Sequence, residues 1–152
     1  MPIQDTLKQL GLEIPPVPAA LAAYIPSKRV GNLIFTSGQL PLVAGKLRKT
    51  GKVGKDVTLA EAQEEAKQCL LNALAAILLQ VESLDQIKSI VKLGVFVSSS
   101  PEFTEHHLVA NGASELVAAI FGDKGKHARF AIGVSSLPLD ASVELEVVTE
   151  VE

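Results

Sequence analysis

The chain offers few side chains that can do chemistry: three histidines, one cysteine and one tyrosine among 152 residues. A reactive site must therefore be built from arginine, carboxylates, hydroxyls or backbone. The most suggestive stretch is Arg129-Phe130-Ala131-Ile132-Gly133-Val134. In a strand, alternate residues share a face, which groups Arg129, Ala131 and Gly133. That places a guanidinium beside two very small residues, at the edge of a hollow. Arginine suits the grip of a carboxylate through two parallel hydrogen bonds. The alternation predicts that Phe130, Ile132 and Val134 meet the helices. The same periodicity also fits an Arg129 paired with an outward Glu of the last strand. On that strand Glu144 and Glu146 share a face. A carboxylate there could orient or deprotonate a water, or simply keep a sheet face solvated.

Other chemistries have less support. His106 and His107 are adjacent, so on a helix they diverge by about 100° and chelate one metal poorly. His127 stands apart, and no carboxylate has ligand spacing to the histidines. Cys69 lies between Ala66 and Ala73 on an apolar helical face and reads as a small core residue. Ser37, in Thr36-Ser37-Gly38-Gln39, lacks the Gly-x-Ser-x-Gly elbow of a hydrolase. Gly45 to Val53 superficially suggests a phosphate loop, but five residues separate Gly45 from Gly51, and Val53 replaces the hydroxyl such a loop needs. The run Lys46, Arg48, Lys49, Lys52 and Lys55 reads as a solvated loop, with a phosphate-binding strip as the alternative.

The elements that position these residues follow from periodicity. Residues 3–11 read as a short amphipathic helix ended by Gly11, and Pro15, Pro16 and Pro18 as an extended connector. Residues 28–30 and 33–37 read as strands around a Gly31-Asn32 turn. Residues 39–43 continue extended, with a turn at Ala44-Gly45. Thr58 and Glu61 have capping-box spacing at the start of a helix to about Val81. Its second half is apolar all round and has to be covered on several sides. Residues 87–97 form a β-branched strand. Ser100-Pro101 predicts the start of a second helix, running to Phe121 and weakened at Asn111-Gly112. Residues 129–134 and 142–151 are the last strands, the final one alternating Val143, Leu145, Val147 and Val151 inward. This order implies an α+β fold, with helices on one face of a mixed sheet.

Composition sets the frame. At 16.0 kDa the chain is expected to form one domain over residues 1–152, with 1–20 as an N-terminal helix and Pro-rich connector. The core must be aliphatic, because aromatics are 4% and tryptophan is absent. A net charge of −3 argues against a general nucleic-acid binder. The lack of a signal-peptide pattern or a membrane-length apolar run predicts a soluble, cytoplasmic protein without membrane contact.

The stretches Gly31-Asn32-Leu33-Ile34-Phe35-Thr36-Ser37-Gly38-Gln39-Leu40-Pro41, Val95-Phe96-Val97 and Ala128-Arg129-Phe130 carry a resemblance. So do Leu137-Pro138-Leu139-Asp140 and Val143-Glu144-Leu145-Glu146. In order and spacing, from about Tyr24 to Val151, the chain resembles the YjgF/Rid family, also called the L-PSP endoribonuclease family. Segments 109–114 and 125–129 mark a longer, distinct branch. The resemblance implies a chorismate-mutase-like α+β fold and a homotrimer with ligand sites in the clefts between subunits. It implies hydrolysis of reactive 2-enamines and 2-imines to 2-keto acids and ammonia, without metal or organic cofactor. The family's carboxylate-binding Arg falls on Arg129, and its water-associated Glu on Glu144. Its pocket Tyr falls on Tyr24, its Ser-Gly segment on Ser37 and Gly38, and a pocket Asn on Asn111. The backbone near Ala131 is expected to orient the substrate. Two departures are Ala131, where a Cys is common, and Gly133, where a Glu is often found. Both predict a roomier pocket beside Arg129. Two further readings stand beside imine hydrolysis: a non-catalytic binder of small carboxylates, and the ribonuclease or translation inhibitor of the older family name.

Overall fold

The structure is a computed structural model and describes residues 1–16 and 23–152. Pro18 of the expected connector lies outside the described residues. Helix α1 spans Ile3–Gln9, and Gly11 follows it at φ +71°. Strands β1 (Ser27–Val30) and β2 (Leu33–Thr36) form a hairpin in which Gly31 takes φ +59°. A second hairpin joins β3 (Leu42–Val43) to β4 (Lys46–Leu47). Its turn residues, Ala44 and Gly45, both have positive φ, which matches the twist of paired strands.

Helix α2 (Leu59–Ile77) starts on the expected capping box. The Thr58 N–H donates to Glu61 Oε1 at 3.0 Å, and the Glu61 N–H to Thr58 Oγ1 at 3.1 Å. It ends four residues earlier than the periodicity predicts, because Leu79 and Gln80 bond to carbonyls three residues back in a tightening turn. Of the apolar half expected over residues 70–79, Ala73 to Ile77 are buried within this one chain, while Leu79, past the helix end, is exposed. The cover comes from the sheet, the β3–β4 hairpin and α3 (His106–Phe121).

The expected start of α3 at Ser100-Pro101 is corrected by the structure. The Ser100 N–H is used by the Val53 carbonyl, and Phe103 closes a turn back to Ser100, so the helix begins after Glu105. Asn111-Gly112 does not interrupt it. At Gly112 α3 lies directly against the α2 backbone: a Cβ there would overlap the Gln63 carbonyl and sit 2.9 Å from its Cα. The glycine that lowers helix propensity is required by packing.

Strands β5 (Ile87–Ser98), β6 (Ala128–Val134) and β7 (Val143–Val151) complete a five-stranded sheet of order β1-β2-β7-β5-β6. Only the β5–β6 pair is parallel, joined by the α3 crossover, so the sheet is mixed. Both long helices cover one face of it. Strand β7 alternates as predicted, with Val143, Leu145, Val147 and Val151 buried in the aliphatic core.

Strand β6 reverses the sequence expectation. Arg129, Ala131 and Gly133 pair in register with Leu93, Val95 and Val97, which are buried beneath the helices. Ala131 packs on the core, and Arg129 hydrogen-bonds to α3. Phe130 and Ile132 instead lie on the open face of the sheet. Phe130 packs over Gly94 and edge-on to Phe96, and Ile132 is 46% exposed. The pattern misled because the open face is itself apolar, with Phe35 and Leu33 exposed on β2. Among the described residues, no helix is long and apolar enough to cross a membrane.

Candidate functional site

The predicted site residues fall into two groups, on opposite faces of the sheet. The first gathers on the helix side of β6. Arg129 reaches along α3, where its Nη1 donates to Asn111 Oδ1 at 2.9 Å and to Ser114 Oγ at 3.1 Å. Its Nη2 donates to the His107 carbonyl at 3.4 Å. A guanidinium has five N–H donors in a plane. With both Nη1 hydrogens engaged, the donors left among the described residues are Nε–H and one on Nη2. A carboxylate that binds a guanidinium side-on uses Nε–H together with an Nη2–H. No carboxylate of the described residues lies within ion-pair distance of Arg129. The alternative partner, an outward Glu of β7, is on the other face of the sheet.

Ala131 and Gly133 continue this face, but the space at Gly133 is taken. His106 lies directly over it, so that a Cβ on residue 133 would overlap its Nε2 and meet Ser99 Oγ at 3.1 Å. His106 also bonds Ser99 Oγ at 3.0 Å and packs edge-on to Phe103. The roomier pocket expected at Gly133 is therefore corrected: an imidazole from α3 fills the volume the strand gives up.

The second group lies on the open face around β7. Glu144 pairs in register with Phe96, whose ring meets Phe130. After β2, residues 37–39 fold back on β7, and Gln39 and Leu145 exchange both backbone hydrogen bonds, at 2.8 and 3.0 Å. This lock sets Gly38 against the Glu144 carboxylate, where only a residue without Cβ fits. The Ser37 hydroxyl bonds Tyr24 Oη at 2.7 Å and accepts from Gln39 Nε2 at 3.0 Å. Tyr24, Ser37, Gly38 and Glu144 thus form one cluster. Burial first, and then the Glu146 carboxylate, push the Glu144 carboxyl above its ordinary pKa.

Cavities of about 520 Å³ lie under α1, against Leu78 and Leu84, and beside Ser114 and His127, and neither includes Arg129 or Glu144. Sequence reasoning missed Ser114, His127 and Gln39 as partners of the site. Ser114 follows Asn111 by one helical turn and so shares its face, a signal available in the sequence.

The remaining candidates resolve as structure. Cys69 is fully buried against the Val143 carbonyl, and burial raises its thiol pKa, as for an inert core residue. In the basic run, Arg48 pairs with the buried Glu65 at 3.3 Å, Lys49 with Glu61 at 2.9 Å, and Lys52 Nζ with the Ser135 carbonyl. Thr58 and Lys49 together hold the Glu61 carboxyl down at about 2. Three of these cations therefore staple the loop to the fold.

Comparisons with known proteins agree with this architecture. The sequence profile of the family described as "YjgF/chorismate mutase-like, putative endoribonuclease" matches residues 4–151. The chain is 40% identical over 151 residues to Protein TCP17 of Trypanosoma cruzi, covering 97% of this chain and 93% of that one. It is 32% identical over 133 residues to the 2-iminobutanoate/2-iminopropanoate deaminase of Escherichia coli, covering 86% and 89%. The crystal structure of Atu1372 from Agrobacterium tumefaciens superposes with a TM-score of 0.92 at 45% identity, covering 99% of this chain and 93% of that one. The chain has the YjgF chorismate-mutase-like α+β fold and belongs to the YjgF/Rid family.

Proposed function

We propose that the protein hydrolyses 2-imino acids, and their 2-enamine tautomers, to 2-oxo acids and ammonia. The observation that carries this reading is the guanidinium of Arg129. It is held from one side by three acceptors on α3, and its Nε–H and remaining Nη2–H are left for a carboxylate. The family relationship to a protein named as an iminobutanoate deaminase supports the same class of substrate.

Arg129 binds the substrate carboxylate, with Asn111 and Ser114 fixing its plane. Glu144 accepts a proton from water, a role suited by its raised pKa. The oxygen of that water bonds to C2 of the protonated imine. Glu144 returns that proton to the amine nitrogen of the resulting carbinolamine, the C2–N bond breaks, nitrogen leaves as ammonia, and loss of the remaining hydroxyl proton to solvent makes C2 the carbonyl of a 2-oxo acid. Positioning and proton transfer of this kind supply roughly 10²–10⁴-fold.

Because Arg129 and Glu144 face opposite ways in one chain, the complete site takes each from a different copy. The exposed Phe35 and Ile132 on the open sheet face support self-association through that face, and a homotrimer is the assembly we infer. A binder of small carboxylates would use the same Arg129 but release no ammonia. The test is ammonia release from 2-iminobutanoate generated in situ. Wild-type protein is expected to accelerate it, and Arg129→Ala to abolish it while keeping the oligomer. Full activity in Arg129→Ala would sink the assignment.

A further inference from the structure

We propose that Ser114 and His127 are positioning residues that fix the rotamer of Arg129 through a one-way hydrogen-bond relay. The inference rests on the reading of Arg129 as the carboxylate grip. His127 Nδ1 lies 2.6 Å from the Gly125 carbonyl, and its Nε2 lies 2.9 Å from Ser114 Oγ. Ser114 Oγ in turn lies 3.1 Å from Arg129 Nη1.

With His127 as the neutral imidazole, each of these contacts has one allowed direction. A carbonyl only accepts, so Nδ1 carries the proton. The Nε2 of a neutral imidazole is then an acceptor and takes the Ser114 hydroxyl hydrogen. With its hydrogen committed to His127, Ser114 Oγ presents lone pairs to Arg129. Arginine can only donate, so the polarity matches. Without His127, the Ser114 hydroxyl could turn its hydrogen toward the guanidinium and lose the contact.

The far end of the relay is anchored to the same helix as the near end. Gly125 is buried against α3, where a Cβ would sit 2.9 Å from both Val117 Cγ1 and the Val117 carbonyl. The carbonyl that sets the His127 tautomer is therefore held at a fixed height over α3, as are Asn111 and Ser114. Arg129, on an edge strand, gains a rigid reference from a helix that packs on the core.

The test measures Kd for 2-oxobutanoate by titration calorimetry, with KM and kcat for 2-iminobutanoate, on the full chain. Ser114→Ala and His127→Leu are each expected to weaken 2-oxobutanoate about 10-fold and to raise KM in step, with a smaller fall in kcat. His127→Gln keeps an acceptor near the Nε2 position and is expected to recover most of the affinity. Ring ¹⁵N resonances of His127 are expected to report the Nδ1-protonated tautomer. Should His127→Leu fail to fold, Ser114→Ala and the ¹⁵N measurement carry the test. An unchanged Kd in Ser114→Ala, with binding abolished in Arg129→Ala, overturns the relay alone. Wild-type binding in Arg129→Ala overturns the relay together with the carboxylate grip beneath it.

Discussion

Gly38 lies against Glu144 so closely that a Cβ on residue 38 would stand 2.8 Å from the carboxyl carbon and overlap Oε2. The backbone of Gly38 does not need positive φ, so its lack of a side chain serves the contact and not the turn. Gly38→Ala is expected to displace the Glu144 carboxylate and lower kcat for imine hydrolysis at least 10-fold. Affinity for 2-oxobutanoate, held at Arg129, should change much less. Paired calorimetry and ammonia-release assays check both, and equal losses in the two would count against the assigned roles.

Glu144 also makes stability depend on pH. Burial and the Glu146 charge raise its folded pKa above the unfolded value. Between those two values the folded chain holds more protons than the unfolded one, so this group's contribution falls as pH rises through that window. Glu144→Gln removes the penalty. The variant is expected to melt about 1–2 °C above wild type at pH about 7.5, with the gain vanishing below the ordinary carboxylate range. Melting curves across pH decide it; a variant less stable than wild type at neutral pH contradicts the assignment.

Gly112→Ala tests the helix crossing. On an exposed helix this change would stabilise by up to about 1 kcal/mol. Here the new methyl would press on the backbone of Gln63, which has no rotamer to yield. A loss of about 1–3 kcal/mol is expected in urea unfolding. Stabilisation would show that α2 and α3 can separate freely.

Much of this was legible in the residues. The Thr58–Glu61 cap, the Gly31 turn and the β7 alternation are local signals, and each appears where periodicity and turn chemistry put it. Arg129 with Asn111, and Tyr24 with Ser37 and Gly38, came from motif resemblance and are neighbours in the fold. What periodicity could not supply was the facing of β6. A sheet with one face under helices and the other still apolar gives two chemically similar sides. Only the register with Leu93, Val95 and Val97 distinguishes them. The same holds for His106: filling the space over Gly133 joins a helix to a strand 27 positions away in sequence, and no local pattern records it.

The placement of Arg129 and Glu144 on opposite sides of one sheet has a genetic corollary. A chain that has lost Arg129 still carries an intact Glu144 surface, and the reverse also holds. Two inactive variants mixed as unfolded chains and refolded together should regain activity at those sites where each lends its good half. In a closed ring assembled at random from equal amounts, that is about a quarter of the sites. By the same logic, in the trimer we infer, one damaged allele expressed beside a normal one would disable sites that the normal chains helped to build.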